Sequence, residues 1–95
     1  MYVLRLLPPA WKYIKKIKDK HLKALFLDAL DKIQKDPYIG EAKTGDLQGI
    51  FGFDIYYDKT NYEIAYSIVE LPDKLVIVIL AGTRENFYDQ LKRYL

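Results

Sequence analysis

Six consecutive aliphatic residues, Leu75-Val-Ile-Val-Ile-Leu80, constrain the fold more than any other part of the chain. A strand with one wet face alternates apolar and polar side chains. This run does not, so it belongs in the middle of a sheet covered on both faces. Apolar surface must therefore pack above and below it. The run stops at Ala81-Gly82-Thr83, and Arg84 follows at once. A short amphipathic segment comes next, with Phe87, Leu91 and Tyr94 spaced to dock inward and Thr83 in position to cap it. A permanent cation is thus expected at the end of a buried strand, with the phenol of Tyr88 one helical turn away.

The rest of the chain supplies the partners that strand needs. Tyr2 to Leu7 reads as a first strand, ended by Pro8-Pro9, which suits the first turn of a helix. Trp11, Ile14 and Ile17 are three apart and are expected to share its inner face. Asp19 can cap a second helix. Leu22, Leu25, Phe26, Ala29, Leu30 and Ile33 then follow helical spacing until Asp36-Pro37, where the residue before proline leaves the helical well. Tyr38 to Gly49 reads as a polar connection. Ile50 to Tyr57 and Tyr62 to Val69 read as strands joined by a turn at Asp58-Lys59-Thr60-Asn61. In the later strand, Tyr62, Ile64, Tyr66 and Ile68 face one way, and Glu63, Ala65, Ser67 and Val69 the other. The order β-α-α-β-β-β-α predicts one α+β domain over residues 1–95. Its sheet has four mostly antiparallel strands, a helical pair on one face and a C-terminal helix at the edge of the other. That second face is expected to be partly open, with a shallow hollow rimmed by Arg84, and Asp54 and Tyr56 can join it.

Composition removes several classes of function. The 95 residues suit one modest core. Cysteine is absent and histidine occurs once, so neither a disulfide framework, a thiolate metal site nor a two-histidine metal site can form. No metal or cofactor is expected. The lack of cysteine fits a reducing cytoplasm. The N-terminal apolar stretch is broken too early by proline to read as a signal peptide. No run approaches the roughly 20 apolar residues that span a bilayer. The net charge of +2 divides unevenly: residues 1–50 hold ten Lys and Arg against six Asp and Glu, and residues 51–95 hold five against seven. Lys12, Lys15, Lys16, Lys18, Lys20 and Lys23 form the densest block, with Asp19 its single acid. Such a block is either a solvated helix face or an attractor of polyanions through counterion release.

With this element order, the chain resembles the RelE/ParE superfamily of bacterial toxins from type II toxin–antitoxin pairs. The likeness is carried by the chain length, by Gly45-Asp46-Leu47-Gln48-Gly49 ahead of the second strand, and by Tyr62-Glu63-Ile64-Ala65-Tyr66 in the third. Gly82-Thr83-Arg84-Glu85 followed by Tyr88 completes it. The ending looks more like the RelE branch, whose members are ribosome-dependent endoribonucleases that cut mRNA, than the ParE branch, whose members poison DNA gyrase without chemistry. The resemblance implies a cytoplasmic toxin held by a cognate acidic antitoxin, with the ribosome and mRNA as its other partners. In that setting Arg84 corresponds to the arginine that stabilises phosphate charge and Tyr88 to the C-terminal aromatic. The chain departs from the pattern at Glu63, where RelE-like nucleases often carry arginine, and at Asp54, where the second strand often presents lysines.

Metal-free RNA cleavage uses the 2′-hydroxyl as nucleophile. It needs a proton acceptor, a proton donor for the leaving 5′-oxygen, and cations for the transition state. Arg84 suits the last task, because its fork grips two phosphate oxygens and keeps its proton; the plainer alternative is a surface ion pair with Glu85 or Asp89. Tyr88 can stack on a base or move a proton, the base role requiring a cation such as Arg84 to lower its pKa; otherwise it is a half-buried aromatic. Glu63 is either a general base on the open face or a solvated strand residue, and Asp54 is a weaker candidate for the same role. The six lysines would contact ribosomal or messenger phosphates without doing chemistry. His21 reads as a solvated helix residue.

Overall fold

Prolines bracket the helical part of the chain, Pro8 and Pro9 at its start and Pro37 at its end. In a computed structural model describing residues 1–95, strand β1 (Val3–Leu6) runs into helix α1 (Pro8–Lys15), whose first turn holds both Pro8 and Pro9. Helix α2 (Lys20–Lys35) starts where expected, with Asp19 accepting hydrogen bonds from the backbone N–H groups of His21 and Leu22 at 2.9 and 3.2 Å. It ends at Asp36, before Pro37. The next strands are β2 (Glu41–Ala42), β3 (Phe51–Tyr57), β4 (Thr60–Val69) and β5 (Leu75–Thr83), and the chain closes with helix α3 (Phe87–Lys92).

The sheet has five strands, not four, in the order β1-β5-β4-β3-β2. The extra strand is a two-residue piece of the polar connection, pairing Glu41 with Gly52 and Ala42 with Phe51. It is too short and too polar to show a period of two. All neighbours are antiparallel except β1 and β5, which run parallel because α1 and α2 carry the chain from β1 to the far edge of the sheet and the later strands return antiparallel until β5 lies beside β1. The β3–β4 hairpin turns on Asp58 and Lys59, both at positive φ (50° and 62°), which is the primed two-residue turn that matches strand twist.

As its unbroken run required, β5 is covered on both sides. Val76, Val78 and Ala81 join Ile14, Phe26, Ile33, Ile64 and Tyr66 under α1 and α2. Ile79 and Leu80 join Ile50, Ala65, Phe87 and Leu91 under α3. A bulge permits two successive residues on one face: Ala65 pairs with Leu80 and Tyr66 with Val78, leaving Ile79 as the extra residue. Trp11 departs from the expected inner face. Ala10 and Ile14 are buried, whereas Trp11 is 39% exposed with the Lys15 ammonium 4.9 Å from its ring centre. A spacing of three drifts by roughly 60° per step around a helix, so Trp11 and Ile17 cannot both flank Ile14 squarely.

Tyr66 closes the end of the sheet nearest Pro37. Its buried hydroxyl donates to the Pro37 carbonyl (2.6 Å) and accepts from the Gly40 N–H (3.1 Å). A Cβ at Gly40 would lie 2.3 Å from that hydroxyl oxygen, so the close approach requires glycine there.

Candidate functional site

Arg84 sits where the strand ladder gives way to α3. Its N–H donates to the Asn61 carbonyl at 2.9 Å, one residue beyond β5, and its own carbonyl accepts from Phe87 N–H at 3.1 Å. The chain turns through Asn86, in the left-handed region at φ 58°, and α3 begins at Phe87. Thr83 therefore ends the strand and does not cap the helix, because the ladder continues through it to Arg84. Phe87 and Leu91 are fully buried, which fixes the helix against the sheet and carries Tyr88 over the side chain of Glu63.

Glu63 is the centre of the arrangement. Sequence alternation assigned it to the face opposite α1 and α2, and the pairing of Glu63 with Asp54 and Gly82 keeps it there. That face is not open at this point: Glu63 is 0% exposed. Its Oε2 accepts the Tyr88 hydroxyl at 2.6 Å and lies 3.4 Å from Lys43 Nζ. Its Oε1 lies 3.5 Å from Arg84 Nε and has no hydrogen-bond partner. Lys43, in the segment after β2, also pairs with Glu41 at 2.8 Å and places its ammonium 5.1 Å from the Tyr88 ring centre. Gly52 makes the space: a Cβ there would fall 2.3 Å from Glu63 Oε2 and 2.8 Å from Lys43 Cε. One buried carboxylate is thus enclosed by a phenol, an ammonium and a guanidinium, the partners that a buried charge requires.

The arrangement defines what each group can do. Arg84 is paired with neither Glu85 nor Asp89; its only carboxylate within ion-pair range is Glu63, reached through Nε, and its side chain is 47% exposed. Burial pushes the Tyr88 phenol above its ordinary range, and its bond to Glu63 raises it further. Lys43 opposes this in part, and the net upward shift is the reverse of the lowering by Arg84 that a base role required. For Lys43, burial favours loss of the proton, but the bond to Glu41 and the charge of Glu63 outweigh it and the ammonium is held well above its usual range. Glu63 has no surface from which to take a proton from bulk solvent or a bound strand.

The remaining candidates lie apart. Asp54 is exposed beside Glu63 on the same face and forms no ion pair. Lys12, Lys15, Lys16, Lys18, Lys20 and Lys23 ride on α1, α2 and their junction, across the sheet from Glu63. All but half-buried Lys23 are exposed, as is His21. Neither concavity reaches Arg84, contrary to the expected hollow. One of about 400 Å³ is lined by Tyr13, Lys16, Ile17, Lys18, Asp19 and Leu22. The other, about 240 Å³, lies between α2 and β3. Lys43 was missed in the sequence because a lysine in a polar connection carries no sign that it folds back over Glu63.

No helix is long and apolar enough to cross a membrane. The same architecture occurs in solved toxins. A doubly arginine-to-alanine-substituted E. coli toxin RelE in the free state is similar at TM-score 0.73 and 20% identity, over 99% of this chain and 98% of that one. The toxin of the intact E. coli RelBE toxin–antitoxin complex gives TM-score 0.68 and 20% identity, over 86% and 95%. The Mycobacterium tuberculosis RelBE2 complex gives 0.66 and 21%, over 87% and 98%. At these identities the likeness establishes the fold. No curated protein is similar enough in sequence to count as a match. Residues 4–92 match a family model described as the ParE-like toxin of type II bacterial toxin–antitoxin systems, and the chain belongs to that family.

Proposed function

We propose that this toxin is a ribosome-dependent mRNA endoribonuclease of the RelE kind, cytoplasmic and neutralised by a cognate antitoxin. The observation that carries the reading is the outward, half-exposed Arg84 beside a protonated Tyr88. In the reaction, a 2′-hydroxyl attacks the adjacent phosphorus and gives its proton to an acceptor supplied by water or the ribosome, while the bond to the 5′-oxygen breaks and that oxygen takes a proton. Arg84 grips the phosphate oxygens as charge builds on them. Tyr88 donates to the leaving 5′-oxygen or stacks on a base. Glu63, enclosed as it is, serves through Tyr88 and Arg84 and is not itself the base. The one carboxylate within ion-pair range of Arg84 is the enclosed Glu63, which suits an activity completed only in the setting of the ribosome. The six lysines on the opposite face would hold ribosomal or messenger phosphates. An antitoxin partner is supported by the similarity to toxins solved as RelBE complexes.

A second reading is favoured by the charges around the site: Lys43 and Arg84 give +2, while Glu41, Asp54 and Glu63 give −3, leaving −1. A face of that balance suits a ParE-like inhibitor of DNA gyrase, or an inactive family member that only binds antitoxin. Purified protein added to programmed ribosomes separates the readings. The first predicts message cut in the decoding site; intact message together with inhibited gyrase supercoiling would establish the gyrase reading, and neither effect would leave antitoxin binding.

A further inference from the structure

We propose that Glu63 is a built-in counter-ion: it positions Arg84, Lys43 and Tyr88, and its charge holds their grip on a phosphate well below what two cations would give. This rests on the reading above, in which Arg84 grips a phosphate, and adds Lys43 to that site. Three observations carry it. The carboxylate is wholly enclosed, so water screens its charge less than it screens a surface carboxylate. It holds the guanidinium by Nε (3.5 Å from Oε1), the side away from the fork, and so leaves the two terminal amino groups for an incoming anion. Its Oε1 has no hydrogen-bond donor, although every other contact about it is made. The guanidinium is therefore held by charge more than by a tight bond, and can turn toward a phosphate without breaking one.

The sequence makes room for this carboxylate deliberately in one place. Gly52 leaves space that any other side chain would take from Oε2. A residue that merely filled a strand position would not need it. A phosphate held by Arg84 and Lys43 must then share those cations with a fixed negative charge a few ångströms behind them. At an effective dielectric of about 20 and a separation of roughly 7 Å, that repulsion changes affinity by about 50-fold, and salt around the exposed phosphate reduces it to on the order of ten-fold.

The test uses the full chain and a fluorescent single-stranded 2′-O-methyl oligoribonucleotide, which lacks the nucleophile and cannot be cut. Affinity is read by anisotropy over a series of salt concentrations. Glu63→Gln keeps an acceptor for Tyr88 and removes the charge. It should bind on the order of ten-fold tighter with a steeper salt dependence, and the gain should vanish when Arg84→Gln and Lys43→Gln are added. Unchanged or weaker binding by a folded Glu63→Gln variant would overturn the proposal, as would a gain that survives loss of both cations. If thermal melting shows that Glu63→Gln does not fold, Lys43→Gln and Arg84→Gln alone decide. Each must weaken binding several-fold, and no change in either overturns the assignment. Because the probe is uncleavable, failure of the nuclease reading on ribosomes would leave this result intact.

Discussion

Replacing Gly52 by alanine tests whether the buried carboxylate is built into the fold or merely tolerated by it. The new Cβ would lie 2.3 Å from Glu63 Oε2, 3.2 Å from its Cδ and 2.8 Å from Lys43 Cε. The lysine stem can swing aside. Glu63 cannot, because Tyr88, Lys43 and Arg84 close its other sides. Displacing it breaks a hydrogen bond to a charged acceptor, about 1.5–3 kcal/mol, and forces overpacking worth about 1–3 kcal/mol. Alanine recovers roughly 0.5–1 kcal/mol over glycine in a strand. The expected net loss is about 2–4 kcal/mol. Urea unfolding at neutral pH should show a lower midpoint with an unchanged slope, and the melting temperature should fall by roughly 10–25 °C. Adding Glu63→Ala to the same chain removes the clash, so the two substitutions should be non-additive by about 1–3 kcal/mol. A loss below about 0.5 kcal/mol for Gly52→Ala, or simple additivity with Glu63→Ala, would refute the reasoning.

Two further outcomes follow from features away from the site. Burial pushes the Tyr66 phenol up to about 12 from an ordinary value of 10.0. The folded state thus holds that proton more tightly, so the stabilisation is complete below pH 10 and is lost as pH rises through about 12. The gap corresponds to roughly 2–3 kcal/mol; alkaline titration of stability should show this loss, and Tyr66→Phe should flatten it while lowering stability at neutral pH. In the β3–β4 turn, Asp58→Asn with Lys59→Gly should stabilise by about 1 kcal/mol, since both positions hold positive φ. A lower denaturation midpoint in that double variant would contradict the turn assignment.

The chain discloses its scaffold more readily than its site, for physical reasons visible in particular residues. Leu75 to Leu80 required covering on both faces, and Asp19 and Asp36-Pro37 fixed α2, because these signals are local or periodic. The face of Glu63 was legible from strand alternation, but its burial was not. That burial depends on α3 folding back across β4, and the αL turn at Asn86 that sends it there has no unambiguous signature. Lys43 was hidden for the same reason: beyond its local pairing with Glu41, the partners that draw it into the site lie far along the chain on β4 and α3. Strand β2 has only Glu41 and Ala42, too little for any pattern. The lysine block was visible as charge, yet only the packing of α1 and α2 revealed that it lies across the sheet from Arg84.

The most direct test of the account concerns the guanidinium of Arg84 itself. Wild-type protein and Arg84→Ala should be expressed without antitoxin in the same cells, with circular dichroism and soluble yield confirming that both fold. Truncation leaves the backbone bonds of Arg84 to Asn61 and Phe87 in place but strips the buried Glu63 of one of its three partners, so some stability should be lost and the two folding measurements are essential to the comparison. Growth arrest by the wild type and unimpeded growth with Arg84→Ala is the expected result. Equal arrest by both folded proteins would contradict the claim that toxicity is exerted through this side chain.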